Sequence, residues 1–158
     1  MRRRHVFVVS TTLVSAIIAG CAGVPFLSPG PPTVASEQRR LSHELRDAPV
    51  VVVETTPEGR LRVAVPLRYC FDAGRGVVKP PLAAVLDRMA PGLKPGGFDV
   101  RVAAPADTRG GGTLLAQDRA ASVRDYLVAR GVPVLRFAGL AQAAGDHVEL
   151  LLTQRPGH

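Results

Sequence analysis

The sequence predicts an α+β fold: a two-layer sandwich with helices on one face of a mixed sheet, in the order β-α-β-α-β-β, preceded by a short helix and a β-hairpin. Three patterns carry that prediction. Leu61, Val63, Val65, Leu67, Tyr69 and Phe71 share one parity, as do Phe98, Val100 and Val102, with charged residues among the residues between. Period two of this kind marks strands with one buried face. Leu82, Val85, Leu86, Met89 and Leu93, and later Ala116, Ala120, Val123 and Leu127, each fall on one stripe of a helix. The two kinds of segment alternate along the chain, which places helices and strands in packed layers.

Taken in order, the chain opens on a leader. Arg2-Arg3-Arg4 is a basic start, and Val6 to Ile18 is apolar apart from small hydroxyl residues. That length suits a secretion signal and is short for a membrane span. Ile18-Ala19-Gly20-Cys21 resembles a bacterial lipobox. The resemblance implies a signal peptide over 1–20, cleavage before Cys21, diacylglycerol on its thiol and an acyl chain such as palmitate on its new amine. An uncleaved anchor with an incidental cysteine is the plainer alternative. Each buried methylene of such chains contributes ~0.8 kcal/mol, so several chains anchor a lipoprotein firmly. Ala22 follows the cysteine; by resemblance to enteric sorting rules, this implies the periplasmic face of the outer membrane. Residues 21–33 carry Pro25, Pro29, Gly30, Pro31 and Pro32 and read as a stiff, extended linker.

Residues 34–66 read as an N-terminal helix and hairpin. Val34 to Asp47 is helix-compatible, with Leu41 and Leu45 as core contacts, and Pro49 stops it. Val50 to Val53 is a β-branched run, Thr56-Pro57-Glu58-Gly59 is a turn, and a strand returns from Leu61 to Phe71 with a bend or edge at Pro66. Lys79-Pro80 starts the helix that carries the Leu82 stripe, since proline suits a first helical turn, and Pro91-Gly92 ends or frays it. Val134 to Leu140 and His147 to Thr153 complete the strands, and 155–158 is a tail.

Composition excludes some functions. The formal charge of +7 falls to +4 without the three leader arginines, and aromatic residues are 4%. A nucleic-acid surface wants clustered basic residues with stacking rings, and neither is visible. Four histidines share no ligand spacing, so no metal site is expected. Gly110-Gly111-Gly112 lacks the lysine of a phosphate loop, and no serine stands in a nucleophile elbow. No catalytic residue and no cofactor is expected, and the chain does not read as an enzyme. Once Cys21 is lipidated, Cys70 has no disulfide partner and reads as a packing thiol.

The stretch from Phe98 to Gly131 organises the rest. A strand runs from Phe98, Pro105-Ala106-Asp107 ends it, and the glycines lead to a helix with Gly131 at its C-terminal cap. Asp107 and Arg119 are thus held over one loop, and an acid and a base so placed could recognise a zwitterion. On spacing alone, an ordinary surface ion pair worth under ~1 kcal/mol is the favoured reading.

Asp107-Thr108-Arg109-Gly110, Leu115-Ala116-Gln117-Asp118-Arg119-Ala120, Val123, Leu127 and Gly131-Val132 resemble the core of the OmpA-like peptidoglycan-binding domain. Leu67 to Ala73 resembles that family's opening strand, Val78-Lys79-Pro80 its next helix start, and Val148-Glu149-Leu150 its closing strand. The resemblance covers 67–154 and implies that Asp107 and Arg119 clamp the diaminopimelate of a peptidoglycan stem peptide, with loop amides near Gly110 on the carboxylate side. The sequence departs from the family at Ala104-Pro105-Ala106, where Gly-His-Thr is usual, and at Gly145-Asp146-His147, where Asn-Arg-Arg is usual. An asparagine of the loop also has no counterpart. Two functions follow: a lipid-anchored envelope protein bound non-covalently to peptidoglycan, or a degenerate domain serving as a protein–protein component of an envelope assembly.

Overall fold

Thr33 opens the first helix by reciprocal capping. Its side chain accepts the Ser36 N–H at 3.2 Å while Ser36 Oγ accepts the Thr33 N–H at 2.8 Å. The computed structural model describes residues 32–107 and 112–156. The leader, the lipobox with Cys21, most of the linker, and Gly110 lie outside the described residues.

Helix α1 (Val34–Glu44) ends three residues earlier than expected, and Leu41 and Leu45 enter the core as expected. Strands β1 (Val52–Thr55) and β2 (Leu61–Pro66) form a hairpin around the 56–60 turn, closed by Thr56 N–H to the Arg60 carbonyl at 2.8 Å. The strand expected to run from Leu61 to Phe71 stops at Pro66. Residues Leu67–Cys70 form a helical turn instead, labelled α2. Leu67 N–H turns aside to the Asp146 carbonyl at 2.8 Å, and Phe71 N–H reaches back to the Leu67 carbonyl at 3.1 Å. Phe71 is still buried, but through a turn rather than through strand parity.

Helix α3 (Pro80–Leu93) starts on its proline and buries all five residues of its apolar stripe. It does not end at Pro91-Gly92. Leu93 lies on the buried stripe and Lys94 N–H still donates to the Ala90 carbonyl at 3.1 Å, so packing carries the helix through the proline. Strand β3 (Phe98–Ala104) alternates buried and accessible residues as expected. Helix α4 (Gly112–Ala129) begins at the last of the three glycines. It closes with Val132 N–H on the Leu127 carbonyl and Gly131 N–H on the Val128 carbonyl, with Gly131 at φ +90°. That paired geometry needs a left-handed residue, which glycine supplies. The strand expected from Val134 starts later: Val134–Arg136 is a 3₁₀ turn, followed by β4 (Phe137–Gln142) and β5 (His147–Gln154).

The five strands form one mixed sheet in the order β1-β2-β5-β3-β4, with β3 and β4 parallel and the other neighbours antiparallel. Val63 faces Leu150 across one ladder and Val102 faces Leu150 across the other, so one parity of three strands forms a continuous buried face. The apolar stripes of α1, α3 and α4 cover it in a single cluster. The other face carries the ion pairs of Arg62 with Glu54 and Glu149. Segments 34–66 and 67–154 therefore share one sheet and one core.

Strand directions give the sheet two distinct poles. β2 and β3 end, and β5 begins, at the pole holding Pro66, Asp107 and Asp146. At the other pole Phe98 pairs with Gln154, and Gln154 Oε1 accepts the Val34 N–H at 3.3 Å. The eight residues of β5 separate the poles by roughly 20–25 Å. The chain therefore enters α1 at the pole away from Asp107. There Glu37, 2% exposed, pairs with Arg40, whose Nη1 donates to the Arg88 carbonyl at 2.8 Å. Gly92 of α3 leaves the space that Glu37 fills.

Candidate functional site

β3 delivers Asp107, and the second turn of α4 delivers Arg119. The two meet, with Arg119 Nη2 2.7 Å from Asp107 Oδ1. Their exposures differ sharply: the Arg119 side chain is 0% exposed and that of Asp107 20%. The sequence-based reading of an ordinary surface pair fails for Arg119. Its Nε donates to the Arg75 carbonyl at 3.0 Å, Nη1 to the Pro105 carbonyl at 2.9 Å, and Nη2 also to the Asp72 carbonyl at 3.2 Å. With Asp107, four of the five guanidinium N–H groups are taken by described residues. The Phe71 ring lies 5.3 Å from the guanidinium carbon and covers it.

Asp107 has a second anchor. Gly74 N–H donates to its Oδ2 at 2.5 Å. Gly74 sits at φ +68° in a turn closed by Arg75 N–H on the Asp72 carbonyl at 3.1 Å. A turn with glycine at its third position holds this geometry without steric cost. The Gly74 amide first, and the Arg119 guanidinium second, hold the Asp107 carboxyl below its ordinary pKa. The Asp72-Ala73-Gly74-Arg75 turn was missed as part of the site. Its signal is a glycine two residues after an aspartate, which marks a turn but not what the turn's amide faces.

Beside Asp107 lies a depression with two chambers. One, of about 340 Å³, is lined by Leu67, Arg68, Phe71, Asp107 and Asp146. The other, of about 510 Å³, shares Leu67, Asp107 and Asp146 and adds Pro105, Ala106 and Gly145. Asp146 is widely exposed and pairs with His147 Nδ1 at 2.6 Å. Arg68 is exposed, its guanidinium 4.8 Å from the Tyr69 ring centre. The departure Gly145-Asp146-His147 thus puts an acid on the rim of this groove. Cys70 lies outside it and behaves as a packing thiol: it is fully buried, and burial pushes its pKa up to about 12.

No family model matches the sequence, and no curated protein sequence matches it. Solved structures do match the fold. The cell wall anchor of the T6SS from Pseudomonas aeruginosa superposes with a TM-score of 0.60 at 24% identity, over 75% of this chain and 99% of that one. A MotB-like protein from Desulfovibrio vulgaris gives 0.60 at 16% identity, over 77% and 92% of the two chains. The periplasmic domain of Helicobacter pylori MotB gives 0.59 at 16%, over 69% and 82%. With the strand order and the layer arrangement already described, these similarities give the chain an OmpA-like fold.

Proposed function

We propose that this chain is a lipid-anchored envelope protein that binds peptidoglycan non-covalently through the groove beside Asp107. The observation that carries the proposal is the anchoring of Asp107. Its carboxylate is fixed by Gly74 and Arg119 and remains one-fifth exposed on a groove wall. A pre-ordered carboxylate accepts a charge-assisted hydrogen bond from an ammonium without further ordering cost. The diaminopimelate of a stem peptide carries such an ammonium beside a carboxylate. The similarity of Asp107, Gly110 and Arg119 to the OmpA-like motif supports the same ligand, as does the fold shared with a cell wall anchor. In this reading Arg119 positions Asp107, and an amide near Gly110 adds to the carboxylate side. Lipid on Cys21 would hold the chain at the periplasmic face of the outer membrane. The entry of the chain into α1 at the far pole suits that arrangement, because the groove then faces away from the tether.

A second reading has its own observation. Arg119 spends four N–H groups on its own chain, so the pair also serves as an internal staple for a domain that acts only as a protein–protein component. Co-sedimentation of the full-length protein in detergent with purified sacculi separates the two. Binding by the wild type that drops by ~2–5 kcal/mol in Asp107→Ala, with circular dichroism unchanged, supports the peptidoglycan reading. A wild type that stays in the supernatant supports the staple.

A further inference from the structure

We infer that Arg68 is the residue of this groove that recognises a ligand carboxylate, and so sets its preference for a zwitterionic over a simply cationic side chain. The inference rests on the peptidoglycan reading and deepens it. Arg119 is the base expected to meet that carboxylate, yet it is fully buried and committed to three backbone carbonyls and Asp107. A ligand carboxylate could engage it strongly only by breaking those bonds. Arg68 is placed differently. It lines the smaller chamber together with Asp107 and Asp146, it is exposed, and among the described residues no acid pairs with it.

Its backbone is fixed, and among the described residues no carboxylate holds its tip. The helical turn that carries it is closed by Phe71 N–H on the Leu67 carbonyl and tied to the rim by Leu67 N–H on the Asp146 carbonyl. Lys79 Nζ donates to the Arg68 carbonyl at 3.2 Å, and the Tyr69 ring supports the guanidinium. The lining of the chamber therefore combines two aspartates with an arginine that no acid neutralises among the described residues. That set complements a side chain bearing an ammonium and a carboxylate at once, as the diamino-acid end of a stem peptide does. A planar guanidinium can take the carboxylate in a bidentate bond.

The test uses two synthetic tripeptides, alike except that the third residue is diaminopimelate in one and lysine in the other. The second keeps the ammonium and lacks the carboxylate. Each is titrated calorimetrically into the full-length protein in detergent, wild type and Arg68→Ala. The wild type is expected to prefer the diaminopimelate peptide by up to about fivefold, the upper end of the scale of one exposed charged contact. Arg68→Ala is expected to weaken that peptide to the level of the lysine peptide and leave the lysine peptide unchanged. Arg68→Lys is expected to restore part of the preference. A preference that survives Arg68→Ala, or an equal loss for both peptides, overturns the inference while leaving the peptidoglycan reading standing. A wild type that binds neither peptide overturns both.

Discussion

Arg119 and Asp107 form an ion pair at 2.7 Å in which the base is fully buried and the acid faces a groove. The asymmetry divides their roles: the guanidinium organises two backbone segments, the 72–75 turn and the chain at Pro105, and the carboxylate is what remains on view.

Arg119→Ala is therefore expected to destabilise the fold. It removes the guanidinium donors from the Arg75 and Pro105 carbonyls beneath the Phe71 ring, while the Asp72 carbonyl keeps only the Arg75 N–H. Removing one member of such a buried network costs ~3–5 kcal/mol. An exposed surface pair would contribute under ~1 kcal/mol instead. Urea unfolding of wild type and variant decides it; a change under ~1 kcal/mol would return the pair to the surface class.

Asp107 makes stability depend on acid in a defined direction. Its folded pKa is lowered, first by the Gly74 amide and then by Arg119. The stability it contributes is fully present above the unfolded value of ~3.9. It is lost as pH falls through the lower folded value. The difference in unfolding free energy between wild type and Asp107→Asn should hold from neutral pH to about 5 and shrink towards pH 2. A difference that stays constant to the acid limit would mean the carboxylate is not held as described.

Phe71→Ala removes a ring that is 3% exposed and covers the Arg119 guanidinium. The expected loss is ~3–5 kcal/mol, as for other large core truncations. Thermal unfolding followed by circular dichroism would reveal it, and an unchanged midpoint would contradict the packing of the turn after β2.

Gly92→Ala tests the seat of α1. An added methyl at this position runs into the Glu37 carboxylate, which is itself buried against α3. The helix must shift or Glu37 must leave, at a cost of about 1–3 kcal/mol. The paired variant Gly92→Ala with Glu37→Ala should recover part of that loss; an additive result would mean the two positions do not meet.

Cys21→Ala is expected to leave an unprocessed precursor that takes up no radioactive palmitate. Normal labelling of the variant would remove the lipid anchor from the proposed function.

Several features were determined by the sequence alone, because their causes are local. The alternation of Phe98, Val100 and Val102 and the stripe from Leu82 to Leu93 fix which face each element buries, whatever packs there. Gly131 marks a helix end because only a left-handed residue closes that cap. Tertiary structure decided the rest. Pro66 limits strand pairing, but the strand ends there because the next amide finds the Asp146 carbonyl, a partner far along the chain. Arg119 reads as an exposed base on an alanine-rich helix. It is buried because carbonyls 14, 44 and 47 residues away converge on its guanidinium and replace the water it loses. Glu37 is buried beside a local partner, Arg40 one turn on in the same helix, and Gly92 of α3 leaves it room. Periodicity records which face turns inward. The partners that make the buried charge of Arg119 tolerable come from distant backbone, and only the assembled sheet brings Arg68, Asp107 and Asp146 to one groove.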